Sequence, residues 1–143
     1  MVFKILSLIT TIWFCFMTYL SHQNGEGTTE LSIGIVEKII KYFELTNYYN
    51  EIHILIRHLA HIVVFAIFVV LVLLTLAQKW KSRKIFVIVL SIITLWTWGD
   101  EITKISIPGR HFSWRDVLLN FLGVIIGVIN FKLIEYLKKK KIN

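Results

Sequence analysis

The sequence predicts an all-α, polytopic membrane protein: a four-transmembrane-helix bundle with one amphipathic interfacial helix between the first two spans. Three observations predict it. Of the 143 residues, 56% are apolar and only 17% are charged, which leaves a soluble domain too little polar surface to cover itself. Four apolar runs, over about 2–20, 58–77, 85–103 and 117–137, are each long enough to cross the ~30 Å hydrocarbon layer as a helix. Basic residues gather in short clusters flanking these runs rather than along a polar face, which points to lipid and topology and away from nucleic acid. The chain, 1–143, reads as a single membrane domain.

The first run, 2–20, is broken only by Lys4 and small hydroxyl residues. It is long for the apolar part of a signal peptide, and its exit, Thr18-Tyr19-Leu20-Ser21-His22, lacks an A-x-A-like cleavage site, so an uncleaved anchor is expected. A polar, turn-prone stretch follows over 21–29. Over 31–45 the pattern turns helical, with Ile33, Val36, Ile40 and Phe43 at three- and four-residue spacing and Glu37, Lys38, Lys41 and Glu44 between them. This is the expected interfacial helix, lying on the membrane surface or against the bundle. Asn47 is expected to cap a helix that begins at Tyr48 and continues into the second span.

The second span opens with Arg57-His58-Leu59-Ala60-His61, a spacing that puts both histidines on one helix face. The third ends in Trp96, Trp98, Asp100 and Glu101, and its tryptophans, with Trp114, read as an interfacial belt. Pro108 and Gly109 then turn the chain. Pro before Gly suits a type II turn, because Pro fixes φ and Gly accepts φ > 0. The fourth span closes before Lys138-Lys139-Lys140-Lys141, an anchor on the positive side. The single Cys15 allows no disulfide within the chain and reads as a small core residue.

Counting Lys and Arg at alternate span ends puts ten on the side of Lys4, the Lys79 to Lys84 cluster and the terminal lysines, against six on the other. Both termini are therefore expected to be cytoplasmic. The start of span two, the end of span three and the start of span four then meet at the outer face.

Ionisable groups at the edge of a membrane bundle are costly unless paired, so those at this face are functional candidates. Asp116 can cap the last helix, since Ser113-x-x-Asp116 resembles a capping box. Asn120 lies one turn on, and Gly123 and Gly127 continue that face with G-x-x-x-G spacing, a helix-packing element. His58 and His61 with an acid have donors suited to zinc or iron, yet HxxH alone is a weak pattern and no metal is assigned. A buried hydrogen-bond network, acid–base chemistry and substrate binding are the other readings. Asp100 and Glu101 project about 100° apart on a helix and do not easily enter one cavity; one is expected to pair with Arg110 or Arg115. Arg110, directly after the turn, is placed either for that ion pair or to clamp a carboxylate or phosphate.

Taken in order, Arg57-x-x-x-His61, Asp100-Glu101, Pro108-Gly109-Arg110-x-x-Ser113-x-x-Asp116 and Asn120-x-x-Gly123-x-x-x-Gly127 resemble the VanZ-like family of small bacterial membrane proteins. The polar Ser21-His22-Gln23 stretch also matches the usual layout. The resemblance covers nearly the whole chain. Departures fall at His58, where members often carry Lys, at Val64 and Phe65 in place of a Glu-Tyr pair, and at Lys104 in place of Gln. The matched set is His61, Asp100, Glu101, Arg110, Asp116 and Asn120, with His58 and Ser113 as secondary candidates.

The resemblance implies a multi-pass protein of the bacterial cell membrane that lowers susceptibility to teicoplanin-type glycopeptides. It would do so through an outward-facing polar site contacting membrane lipids, a lipid-linked envelope precursor or the glycopeptide itself. The resemblance supplies no reaction. An enzyme acting on envelope lipids or polymers through His61 and an acid is one alternative, and a structural or partner-binding membrane protein is another. No phosphatase, protease or nucleotide-binding motif occurs, and no cofactor is implied.

Overall fold

The computed structural model describes residues 1–23, 33–34, 36–38, 40–43 and 46–142, mostly helical with short connections and with no strand among them. Four helices are long and apolar enough to cross a membrane: α1 (Val2–Ser21), α2 (Tyr49–Ala77), α3 (Arg83–Thr103) and α4 (Trp114–Ile142). They alternate in direction, so the N-terminus of α1 meets the α2–α3 connection, where Phe3 packs edge-on to Trp80 at 5.9 Å. The C-terminal ends of α1 and α3 and the N-terminal ends of α2 and α4 gather at the opposite end.

The expected continuity into the second span holds, but its start differs. A 3-10 turn, Thr46–Tyr48, holds Asn47, and α2 begins at Tyr49 with Tyr48 in the cap position and no side-chain cap bond. The turn takes Asn47 past the place where its amide could reach the first helical N–H groups. At ~1.5 Å per residue, the 29 residues of α2 run about 43 Å, longer than the ~30 Å hydrocarbon layer, so its first turns, with Glu51 and Arg57, extend beyond it.

The expected helix over 31–45 lies partly outside the described residues. Of its apolar positions, Val36 and Ile40 are buried and Phe43 is exposed.

The core is built by one stripe of each helix: Met17 from α1, Phe65, Phe68, Val69 and Leu73 from α2, Ile93 from α3, and Val124 and Phe131 from α4. Outward faces stay apolar, with Leu8, Leu95, Leu118 and Ile129 exposed, as lipid requires. Cys15 is among these outward residues and not in the core. The tightest pairing is α2 against α4, and the two glycines explain it. A Cβ at Gly123 would stand 2.5 Å from Ile62 O, and one at Gly127 would stand 2.7 Å from Val69 Cβ, so only hydrogen lets the backbones come this close.

The tryptophans divide between two roles. Trp98 and Trp114 pack edge-on at 5.0 Å on the exposed rim. Trp96, two residues before Trp98, turns inward onto Phe14 at 5.4 Å and joins the core, so the expected belt loses one member to helical phase.

Candidate functional site

Four helix ends and one turn build a polar cluster at the end of the bundle opposite the termini. After α3, a 3-10 turn, Lys104–Ser106, folds the chain back. Ile107 O accepts from Arg110 N at 3.1 Å across Pro108-Gly109, and Gly109 takes φ 75; the expected turn is formed, and the glycine is required at that dihedral.

Lys104 sets the centre. Its Nζ lies 2.6 Å from Glu101 Oε2 and 3.3 Å from Asp100 Oδ2, and all three residues are 1% exposed. This corrects the expected pairing of one acid with Arg110 or Arg115. The two carboxylates do leave the helix about 100° apart, but a lysine three and four residues on reaches back to both. Their other bonds diverge. Asp100 Oδ2 also accepts from Ser21 Oγ at 2.8 Å, while Glu101 Oε1 accepts from Ser113 N at 3.1 Å. One acid thus ties α3 to the end of α1, and the other ties it to the start of α4.

Ser113 resolves the capping box. Its Oγ accepts from Asp116 N at 3.2 Å, as a helix cap should, but the reciprocal bond to the Ser113 N–H comes from Glu101 and not from Asp116. Freed of that duty, the Asp116 carboxylate faces α2. Its Oδ2 lies 3.5 Å from His61 Nε2, and His61 Nδ1–H donates to Asn120 Oδ1 at 2.8 Å. Asp116 and Asn120 are one turn apart on α4, so together they bracket one imidazole. With Nδ1 committed as a donor, Nε2 is the ring atom that faces the Asp116 carboxylate. Asn120 is fully buried, and its Nδ2 has no partner among the described residues.

Arg110 donates from Nε to Gln23 O and from Nη2 to Ser21 O, both at 3.2 Å. The turn therefore fixes the guanidinium against the α1 exit. Burial first, and then the nearby Arg57 guanidinium, lower the Arg110 pKa below its ordinary value. His22 adds a second strut: Nδ1–H donates to Thr18 O at 2.8 Å, and Nε2 lies 2.8 Å from Thr103 Oγ1.

A cavity of about 350 Å³ opens beside this cluster. Its polar lining comes from Ser21, Gln23, Arg57, His61, Asp100, Lys104 and Arg110, and its apolar walls include Phe16, Leu20, Ile56 and Val64. His61, Asp100 and Arg110 of the expected set reach the cavity. Glu101, Asp116, Asn120 and Ser113 stand behind it, each bonded to a residue nearer the lumen or to the lysine. His58 is half-buried and does not line it, and Arg115 is exposed. Among the described residues no group of three or more His, Cys, Asp or Glu is placed to hold a metal ion.

Ser21, Gln23, Arg57 and Lys104 were not among the expected site residues. Arg57 carried a signal, four residues before His61 in the matched pattern; the others gain their role only from contacts across the fold.

A family model described as VanZ/LLP1 matches residues 6–135. Comparison with curated proteins and with solved structures finds no match.

Proposed function

The chain belongs to the VanZ/LLP1 family, and from that premise we propose that it is an envelope membrane protein which lowers susceptibility to teicoplanin-type glycopeptides by receiving an anionic headgroup at the polar end of the bundle. The observation that carries this reading is the cavity, where Arg57, Lys104 and Arg110 stand beside apolar walls that lead to the lipid-facing surface. A volume of about 350 Å³ is at the small end of ligand sites, which run from ~300 to ~1,000 Å³, and it suits a headgroup. Arg110, fixed by the Ser21 and Gln23 carbonyls, binds the anion; His61, positioned by Asp116 and Asn120, lines the pocket. By the charge balance of the chain, this end faces outward and both termini are cytoplasmic.

The test is the teicoplanin and vancomycin susceptibility of a susceptible Gram-positive host expressing the chain, beside Arg110→Ala, His61→Ala and Asp116→Ala at matched membrane abundance. Protection by the unmutated chain, lost in well-expressed variants, is the expected result. A host left fully susceptible by the unmutated chain contradicts the reading.

A second reading, acid–base catalysis on an envelope lipid or polymer, is favoured by one observation: His61 both lines the cavity and faces Asp116 at 3.5 Å. Mass spectrometry of envelope lipids separates the two. A change in composition that depends on His61 supports catalysis, and an unchanged composition alongside protection supports binding.

A further inference from the structure

Asp100 is 1% exposed, and one of its oxygens has no partner. Oδ2 accepts from Ser21 Oγ at 2.8 Å and lies 3.3 Å from Lys104 Nζ, while Oδ1, equally withdrawn from solvent, receives nothing from the described residues. Gln23 repeats the pattern. Its backbone carbonyl takes the Arg110 Nε bond at 3.2 Å, which leaves the side-chain Oε1 buried and without a donor among the described residues. Both residues line the cavity. A carboxylate oxygen and an amide oxygen only accept, and a buried acceptor left unpaired costs stability. A volume of about 350 Å³ far exceeds the one or two waters that two acceptors need. The occupant that fills it must bring donors.

The same wall also presents donors, the Arg57 guanidinium and the Lys104 ammonium. The oxygens of a phosphodiester or an ionised carboxylate only accept, so beside Asp100 Oδ1 and Gln23 Oε1 they set lone pair against lone pair. An ammonium only donates, so beside Arg57 and Lys104 it sets N–H against N–H. A hydroxyl does both, giving its proton to an unmet acceptor and taking one from a basic side chain. This selection follows from hydrogen-bond direction and holds whatever the net charge of the lining. An anion held at Arg110 can share the cavity, but it leaves both acceptors unmet.

Phe16, Leu20, Ile56 and Val64 form the apolar side. Phe16 is itself exposed on the lipid-facing surface of α1, so the cavity wall runs out into the bilayer. A free polyol would leave these side chains uncovered, whereas one joined to an acyl chain covers them.

We propose that this cavity binds the polyol headgroup of a membrane lipid, with hydroxyls donating to Asp100 Oδ1 and Gln23 Oε1 and an acyl chain leaving along Phe16 and Leu20. This rests on the reading that the site receives a headgroup, and it names what that headgroup must carry. Glycerol and sugar headgroups share this chemistry.

The test holds the full chain in an amine-oxide detergent, which has no hydroxyls, and follows its thermal midpoint as probes are added. A ligand that binds only the folded state raises that midpoint. Two pairs of probes match in charge and differ in hydroxyls. Dioctanoyl phosphatidylglycerol should raise the midpoint more than dioctanoyl phosphatidylpropanol, and octyl glucoside more than octyl tetrahydropyranyl ether. A difference in one pair alone assigns the headgroup to that source, glycerol or sugar. Free glycerol, with no chain, should have little effect. Asp100→Asn puts an amide N–H in place of the unmet oxygen, because Ser21 and Lys104 hold the other, and should abolish the preference within the pairs. Gln23→Leu lies outside the buried lysine–carboxylate group and tests the second acceptor without disturbing it. Its apparent dissociation constant for the hydroxylated probe should rise about fivefold, the loss of one neutral hydrogen bond, while that for the hydroxyl-free partner should not change.

Equal shifts within both pairs, whether large or nil, would overturn the assignment and leave water as what satisfies the two acceptors. A full shift from free glycerol, or an undiminished preference in both variants, would overturn it too. Failure here with protection intact in cells removes the polyol headgroup and leaves the resistance reading standing. Selective binding without protection does the reverse.

Discussion

Lys104 Nζ lies 2.6 Å from Glu101 Oε2 with both side chains withdrawn from solvent, and the same nitrogen reaches Asp100 Oδ2 at 3.3 Å. One cation holding two buried carboxylates is asymmetric: removing it strands both acids. Breaking a buried pair from one side costs ~3–5 kcal/mol, so Lys104→Ala should lower the thermal midpoint in detergent sharply. Adding Glu101→Gln to that variant removes one stranded charge and should recover part of the loss. Additive losses in the double variant would show that Lys104 and Glu101 do not act as a pair.

The approach of α4 to α2 depends on two absent side chains. Gly123→Ala places a Cβ 2.5 Å from the Ile62 carbonyl and 2.8 Å from Phe65 Cβ, a clash with backbone that no rotamer relieves. Overpacking of this kind costs ~1–3 kcal/mol. Gly99→Ala is the control, because its Cβ would meet nothing nearer than Trp96 Cε3 at 3.7 Å, and a helical Gly→Ala change gains up to ~1 kcal/mol. Thermal midpoints should therefore move in opposite directions for the two substitutions; a shared direction would contradict the packing described.

How much of this was legible depends on the range of the contact. Spans show in sequence because burial in lipid needs about 20 apolar residues in a row, and Gly123 and Gly127 show because close approach has a fixed spacing. Asp116 and Asn120 were legible as polar residues one turn apart on an apolar helix, and His61 as an imidazole just inside a span. Lys104 was not. It stands three and four residues after the acids, and the backbone stays helical through the end of α3, but the expected partners were the arginines beyond the turn. Ser21 and Gln23 were equally hidden, since their partners Asp100 and Arg110 are 79 and 87 residues away. The division of Trp96 from Trp98 follows from helical phase within one element, but which phase faces the core depends on where α1 docks.

Ser113 joins a helix cap to an interhelical tie, through Oγ to Asp116 N and through its own N–H to Glu101. Ser113→Ala removes the cap alone, because the backbone bond survives, and should cost about 1 kcal/mol. Ser113→Pro removes the N–H as well, leaves Glu101 Oε1 without its donor and should cost clearly more. A thermal series of the two variants measures the difference. Equal losses would mean that the Glu101 bond contributes nothing.

His61 supplies the most direct test of the inner network. Its Nδ1–H donates to Asn120 Oδ1 at 2.8 Å, while Nε2 stands 3.5 Å from Asp116, longer than the ~2.7–2.9 Å of a direct charge-assisted bond. Asn120 therefore fixes which ring nitrogen carries the proton, and Nε2 is left facing Asp116. Asn120→Ala takes away the acceptor at Nδ1 and should cost ~1–3 kcal/mol. It also leaves Asp116 as the imidazole's remaining partner, so the proton should move to Nε2, where a carboxylate accepts it. Nitrogen-15 chemical shifts of His61 read this directly: an Nδ1–H ring in the unmutated chain and an Nε2–H ring in the variant. The same ring state in both would place the orienting role on Asp116 alone and leave Asn120 as a packing residue of the α2–α4 interface.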